Sequence, residues 1–293
     1  MSTTTTSTTR TLTAAGATIA YDVRRAEGSD EPALLLIGSP MDAAGFITLA
    51  NHFTDRTVIT YDPRGTGRST KEDPSSPVDP DIHAEDLHEV ISASGYGPVD
   101  LFASSGGAVN ALALVAKHPD QVRTLIAHEP PLAAIVSDSA GALAATKSVA
   151  DTYQVSGFGA GMAHFIAVVG HDGPFTAEFL AQSPPDPAMF GMPVEDDGSR
   201  TDPLLGQNII TCTHYQPDFD ALRAASTRIV PAAGAGSGEQ LASRGARAVA
   251  AALGVETAVF PGDHGGFLGG EYGQTGEPDA FAAKLREVLS DRT

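Results

Sequence analysis

Hydrophobic and polar positions along the chain alternate between segments typical of buried strands and segments typical of amphipathic helices. The strand-like segments are "ATIAYDVRR" (17–25), "PALLLIG" (32–38), "RTVITYD" (56–62), "VDLFAS" (99–104), "VRTLIAHE" (122–129), "STRIVPAA" (226–233) and "VETAVFP" (255–261). The helix-like segments are "AGFITLANHF" (44–53), "DIHAEDLHEVISASG" (81–95), "GAVNALALVAKH" (107–118), residues 239–253 and "EPDAFAAKLREVL" (277–289). Because strands alternate with helices, the pattern predicts an α/β fold with a mostly parallel central sheet that helices cover on both faces.

The alternation stops between residues 132 and 224, where the chain reads as helical with proline-rich loops such as "AQSPPDPAMFGMP". We therefore predict a core α/β domain in two parts, residues 1–131 and 225–293, with a helical cap insert at 132–224. Such an insert is expected to lie over the carboxyl edge of the sheet, where ligands bind in open α/β folds. The large apolar side chains that could line a pocket there are Phe158, Met162, Phe165, Phe175, Phe179, Phe190, Met192 and Tyr215.

Composition and charge narrow the possible partners of the chain. Its 293 residues are 42% hydrophobic, which is ample for a large core, and the formal net charge is −18. A strongly acidic surface repels nucleic acids and anionic membranes. The sequence also lacks a long apolar run and an apolar signal segment, so we expect a soluble, cytoplasmic protein with neither a nucleic-acid nor a membrane partner. The one cysteine, Cys212, is interpreted as a packing residue.

The stretch "LFASSGGAVNAL" contains two adjacent serines, Ser104 and Ser105, between a predicted strand and a predicted helix. In a nucleophile elbow the residues two before and two after the serine approach each other, so both must be small. For Ser105 these neighbours are Ala103 and Gly107, whereas Ser104 would bring Phe102 into the turn. The spacing therefore favours Ser105 as a nucleophile.

Further stretches, together with this elbow, resemble the α/β-hydrolase family. "LLLIGSP" (34–40) is similar to the family's first oxyanion segment, with Ile37 in place of the usual histidine. "YDPRGTGRS" (61–69) is similar to the family's Asp-x-Arg-Gly-x-Gly-x-Ser loop, and "GDHGGF" (262–267) to the segment that carries the catalytic histidine. The matches follow the family's order over roughly residues 10–290.

The resemblance implies a serine hydrolase site. His264 would be the base that activates Ser105, since it follows the last predicted strand in a glycine-rich loop. The backbone N–H groups of Ser39 and Gly106 would form the oxyanion hole.

The orienting acid is where the sequence departs from the family. The family's commonest position falls in "AGSGEQ" (235–240), which holds no aspartate and whose first carboxylate is Glu239, predicted to begin a helix. Some members, haloalkane dehalogenases among them, carry the acid after the strand that follows the nucleophile helix, and Glu129 stands there. We favour Glu129, which Pro130 and Pro131 hold rigidly, and keep Glu239 as the alternative acid.

Four other histidines lie near the predicted pocket. His128 ends the strand before the insert and could line the pocket, while His164, His171 and His214 lie in the insert and could touch substrate.

Competing motifs are weak. "GAGSGE" (234–239) partly matches a dinucleotide-binding turn, but its third glycine comes one place early and Glu256 begins a strand instead of ending one. Because neither a phosphate-binding loop nor metal-ligand spacing is present, we expect no cofactor and no metal.

From the elbow serine, the histidine and the resemblance, we expect a serine hydrolase that acts on a small-molecule ester, lactone or related acyl compound through an acyl-serine. The alternative is a non-hydrolytic member of the fold, a ligand-binding module or carbon–carbon bond enzyme with a degenerate triad.

Overall fold

The structure, a computed structural model, describes residues 5–291 and folds them around one nine-stranded sheet. Its strands are β1 (Thr5–Ala14), β2 (Ala17–Ala26), β3 (Leu34–Ile37), β4 (Val58–Tyr61), β5 (Thr70–Lys71), β6 (Val99–Ser104), β7 (Val122–His128), β8 (Arg228–Gly234) and β9 (Ala258–Phe260). Their order is β1-β2-β4-β3-β6-β7-β8-β9, and β5 pairs with β2. The β1, β2 and β5 pairings are antiparallel and all others are parallel, which confirms the mostly parallel sheet.

The α-helices are α1 (Ile47–Asn51), α2 (Pro80–Ser94), α3 (Gly106–Lys117), α4 (Ser139–Val169), α5 (Ala177–Leu180), α6 (Ile209–Thr211), α7 (Phe219–Ala224), α8 (Leu241–Leu253) and α9 (Pro278–Ser290). Local signals set their ends. The Asp79 side chain accepts the Ile82 N–H at the start of α2, and Gly95 ends that helix in the left-handed conformation.

Both faces of the sheet are buried, as the apolar strand segments predict. Leu35 of β3 and Leu101 of β6 pack with α2 and α3 on one face. Leu36 and Phe102, their neighbours along the same two strands, pack with α1 and α9 on the other face. Because successive strand side chains point to opposite faces, a central strand covered on both faces has apolar side chains throughout.

The chain between His128 and Arg228 is described throughout and contains no strand. Helices α4 to α6 and the segments next to them build a third apolar cluster with Leu241 of α8. The long helix α4 contains one non-helical residue, Gly157, with φ 80°. Within the described part of the chain, no helix is long and apolar enough to cross a membrane.

Among the element boundaries that differ from the sequence prediction, two lie late in the chain. The last strand covers 258–260 instead of 255–261. Helix α8 begins at Leu241 because Gln240 is extended, with φ −61° and ψ 152°. Glu239 therefore lies in a turn, and the prediction that it begins a helix is wrong.

Candidate active site

Ser105 lies at the sharp turn between β6 and α3. Its φ of 59° and ψ of −130° are unusual for a residue with a side chain, and such strain is typical of functional sites. Its N–H donates a hydrogen bond to the His128 carbonyl oxygen over 3.0 Å. Gly107, two residues after Ser105, has no room for a side chain, because a Cβ there would lie 2.8 Å from the backbone of Gly38. The turn directs Ser105 towards a cavity whose wall it helps to form.

Ser104 points the other way. It ends β6, is buried, and its Oγ lies 3.1 Å from Nδ1 of His128. The structure therefore separates the two adjacent serines, with Ser104 in the interior and Ser105 at the cavity.

Glu129 follows β7 and contacts the predicted base. Its Oε2 lies 2.6 Å from Nδ1 of His264, and its Oε1 accepts the Gly234 N–H over 2.8 Å. Burial of Glu129 raises the pKa of its carboxyl group, but the hydrogen bond from His264 and the charge interactions with His264 and His128 together outweigh burial and lower the pKa to about 2. The buried carboxylate is therefore ionised at neutral pH and can hold the imidazole by its Nδ1.

Glu239 is placed differently. Its side chain is 62% exposed and pairs with Arg247 over 2.9 Å. It is not among the residues that line the cavity. Of the two candidate acids, only Glu129 contacts His264.

The two predicted oxyanion donors belong to loops that meet at the cavity. Ser39 and Gly106 both line it, and a Cβ on Gly106 would lie 2.5 Å from the Ser39 carbonyl oxygen. Gly106 is the first residue of α3, where backbone N–H groups have no acceptor within the helix. Asn208 donates from Nδ2 to Ser39 Oγ over 2.9 Å and so braces the loop after β3.

The cavity has a volume of about 450 Å³ and holds Ser105 and His264 in its wall. Helix α4 supplies Phe165, Ile166 and Val169, and the following helical segments supply Leu204 and Ile209. Leu241 of α8 also lines the cavity, and the wall is mainly apolar.

Several sequence-based placements are wrong in this region. His128, expected to line the pocket, is completely buried beneath it, and burial lowers its pKa to about 4. His164, His171 and His214 are not in the cavity wall. Among the eight insert side chains proposed as pocket residues, Phe165 alone lines this cavity.

Sequence reasoning missed most of the lining residues, among them the side-chain amides of Asn208, Gln240 and Gln274. Cys212 packs into the core, as expected, but it also lines the cavity. Burial raises the pKa of its thiol to about 12, which keeps it protonated and unreactive. No periodic or motif signal distinguishes these positions, because their approach to the cavity depends on how the insert packs. Among residues 5–291, no cluster of three or more His, Cys, Asp or Glu side chains could hold a metal ion.

Comparisons with known proteins agree with this geometry. A sequence model of the α/β-hydrolase fold matches residues 32–172. The uncharacterized hydrolase YraK of Bacillus subtilis (strain 168) is 30% identical over 269 residues, which are 88% of this chain and 89% of YraK. The chain belongs to the α/β-hydrolase family. The resemblance seen in the sequence motifs is thereby confirmed.

Solved structures support the same fold. The α/β hydrolase MGS-M2, from a Medee basin deep-sea metagenome library, has a TM-score of 0.68 at 16% identity and covers 97% of this α/β hydrolase and 98% of its own chain. The enol-lactonase from Burkholderia xenovorans LB400 has a TM-score of 0.63 at 17% identity, with 96% and 100% covered. At such identities the likeness establishes the fold alone.

Proposed function

We propose that this α/β hydrolase is a cofactor-free serine hydrolase that cleaves a small ester, lactone or related acyl compound through an acyl-serine intermediate. The observation that carries the proposal is the 2.6 Å contact between His264 and the buried Glu129, at a cavity that Ser105 also lines. The enol-lactonase activity named for one structural neighbour is of the same chemical class.

In the proposed reaction, Ser105 Oγ attacks the substrate carbonyl while Nε2 of His264 takes its proton. Glu129 keeps the other imidazole proton on Nδ1 and stabilises the imidazolium that forms. The N–H groups of Ser39 and Gly106 stabilise the oxyanion. His264 then protonates the leaving oxygen, and a water activated by the same imidazole releases the acid from the serine.

Residues 132–224 would act as the cap that selects the acyl group. The apolar wall of the cavity comes largely from this insert, whereas Ser105, His264 and Glu129 come from the core. The aspartate missing from the family's usual position kept a non-hydrolytic protein open as the alternative. The contact between Glu129 and His264 supports the hydrolytic proposal instead.

A fluorophosphonate probe tests the proposal, because it labels a serine only when the neighbouring base is functional. We expect labelling and ester turnover in the wild type, with Ser105→Ala losing the label and on the order of 10⁶ in kcat. Ser104→Ala is the matched control and should keep most activity, since Ser104 faces the core. Unlabelled, inactive wild-type protein would instead support a ligand-binding module or carbon–carbon bond enzyme.

A further inference from the structure

We propose that the cavity selects substrates whose acyl group is uncharged, an inference that rests on the proposed acyl-serine chemistry. The lining contains no lysine or arginine among residues 5–291. A carboxylate on the acyl group would enter the cavity without a cation to pair with it. Burying an unpaired carboxylate is costly, so such substrates are expected to bind and react poorly.

Two hydroxyl groups of the wall, those of Thr146 and Thr213, already donate within the protein. Thr146 Oγ1 donates to the Ala142 carbonyl and lies 3.0 Å from Nε2 of His214. Thr213 donates its hydroxyl proton to the Ile209 carbonyl. Because their hydroxyl protons are used in this way, these side chains offer little compensation to an anionic substrate.

The nearby charges also disfavour an anion. The carboxylate of Glu129 is ionised and lies 2.6 Å from Nδ1 of His264, which lines the cavity. Arg244 of α8 is outside the lining, and it forms an ion pair with Asp138. An anionic acyl group would thus meet repulsion from the carboxylate and no free guanidinium within the wall.

The remaining wall suits an aliphatic chain. Phe165, Ile166 and Val169 of α4 and Leu241 of α8 line a cavity of about 450 Å³. Burial of a short acyl chain against these side chains favours binding, with no polar partner required.

Two p-nitrophenyl esters that differ in one group test the inference. In the hexanoate the chain ends in a methyl group, and in the hydrogen adipate a carboxylate replaces that methyl. We expect kcat/KM to be higher for the hexanoate by about 50-fold or more, because the carboxylate must be buried unpaired. Equal rates, or a preference for the adipate ester, would overturn the inference.

Fluorophosphonate labelling keeps this test distinct from that of the reaction itself. Labelling at Ser105 with equal cleavage of both esters overturns only the preference for uncharged acyl groups. No labelling and no cleavage of either ester overturns the proposed reaction and this inference with it.

A charge placed at the rim provides a second test. Val169 is the last residue of α4, lines the cavity and is 38% exposed, so a lysine there can keep its ammonium group hydrated. We expect Val169→Lys to raise the adipate-to-hexanoate ratio of kcat/KM about tenfold above that of Val169→Met, which adds similar bulk without charge. An identical ratio in the two variants would contradict the electrostatic argument.

Discussion

At the residue scale, Glu129 combines complete burial with a left-handed backbone conformation, φ 50°, that a glutamate seldom adopts. Its backbone N–H donates to the Ala232 carbonyl over 2.9 Å, and its side chain is held by Gly234 and His264. Strain of this kind persists where the surroundings determine the conformation, and it is concentrated at functional sites. The arrangement favours orientation of His264 as the role of this carboxylate.

We predict that Glu129→Gln lowers kcat by roughly 10⁴-fold, because the amide no longer holds the required imidazole tautomer or stabilises the imidazolium. Glu239→Gln is the control, since that side chain is exposed and pairs with Arg247. Steady-state kinetics on a reactive aryl ester measure both variants. Full activity of Glu129→Gln would show that the acid is another residue or that a serine–histidine dyad suffices.

The sequence suffices to predict the placements that local geometry determines. The elbow rule distinguishes Ser105 from Ser104 through the size of Phe102, and the two prolines after Glu129 indicate a fixed strand end. Whether His128 faces the cavity or the core is not encoded locally. It depends on the strand twist and on aromatic packing around the ring, which includes Phe102 at a centroid distance of 5.8 Å.

At the element scale, the elbow depends on close contact between the start of α3 and the loop after β3. A Cβ on Gly107 would lie 2.8 Å from Gly38 Cα and 3.0 Å from the Ile37 carbonyl oxygen. All these neighbours are backbone atoms, so a larger residue displaces the loop that carries Ser39.

We predict that Gly107→Ala lowers kcat at least tenfold and destabilises the fold by about 1–3 kcal/mol, as overpacking commonly does. Gly206→Ala is the control, because its Cβ would come no closer than 3.2 Å to the nearest atom, the Arg200 carbonyl oxygen. Kinetics and urea unfolding of both variants provide the comparison. A Gly107→Ala enzyme with wild-type kcat would mean that this contact does not position the oxyanion loop.

The sequence predicts a helical insert at 132–224, but it does not predict which face of each helix lines the cavity. The strands were easier, since apolar side chains on both faces give a continuous hydrophobic run, as in "LLLI" of β3. In the insert, α4 contains the non-helical Gly157, and small residues occupy much of its length. An apolar stripe is therefore poorly defined, and the sequence does not distinguish the cavity-lining Phe165 from the exposed Phe190.

We predict that Phe165→Ala shifts the preferred acyl chain towards longer p-nitrophenyl esters, because removing the ring enlarges the cavity. The change should appear in the ranking of kcat/KM across acetate to decanoate, while fluorophosphonate labelling of Ser105 persists. Phe190→Ala, at a partly exposed position outside the cavity wall, should retain the wild-type ranking. An unchanged ranking in Phe165→Ala would show that α4 does not determine acyl selectivity.

At the scale of the whole molecule, the chain is strongly acidic, with a formal net charge of −18, while its core buries two imidazoles in their neutral form. Burial lowers the pKa of His128 to about 4 and that of His83 to about 3. His128 Nε2 and His83 Nδ1 have no hydrogen-bond partner within the described structure. Protonating either ring would bury a positive charge in the core, which is energetically unfavourable.

These imidazoles make the fold sensitive to acid. Burial lowers the pKa values of both imidazoles below the ordinary 6.5. Below that pH these two side chains therefore bind protons in the unfolded chain but stay unprotonated in the folded chain. The free energy of unfolding contributed by these groups is therefore lost as the pH falls from about 6.5 towards 4. Glu129 matters at lower pH, because the stability that its carboxylate contributes is lost as the pH falls from 4.5 towards 2. Acid also reduces the repulsion among surface carboxylates, so total stability alone does not isolate the histidines.

We predict that His128→Gln has a shallower pH dependence of unfolding than the wild type between pH 6.5 and 4.5. When the unfolded chain binds one proton more than the folded chain, the free energy of unfolding changes by about 1.4 kcal/mol per pH unit. The slope of the variant should be smaller than the wild-type slope by up to that amount. Urea unfolding at several pH values measures the slope. The difference between the two proteins at pH 8, where the imidazole is neutral in both states, gives the cost of the substitution itself. Parallel curves across the acid range would mean that His128 is not held neutral by its burial.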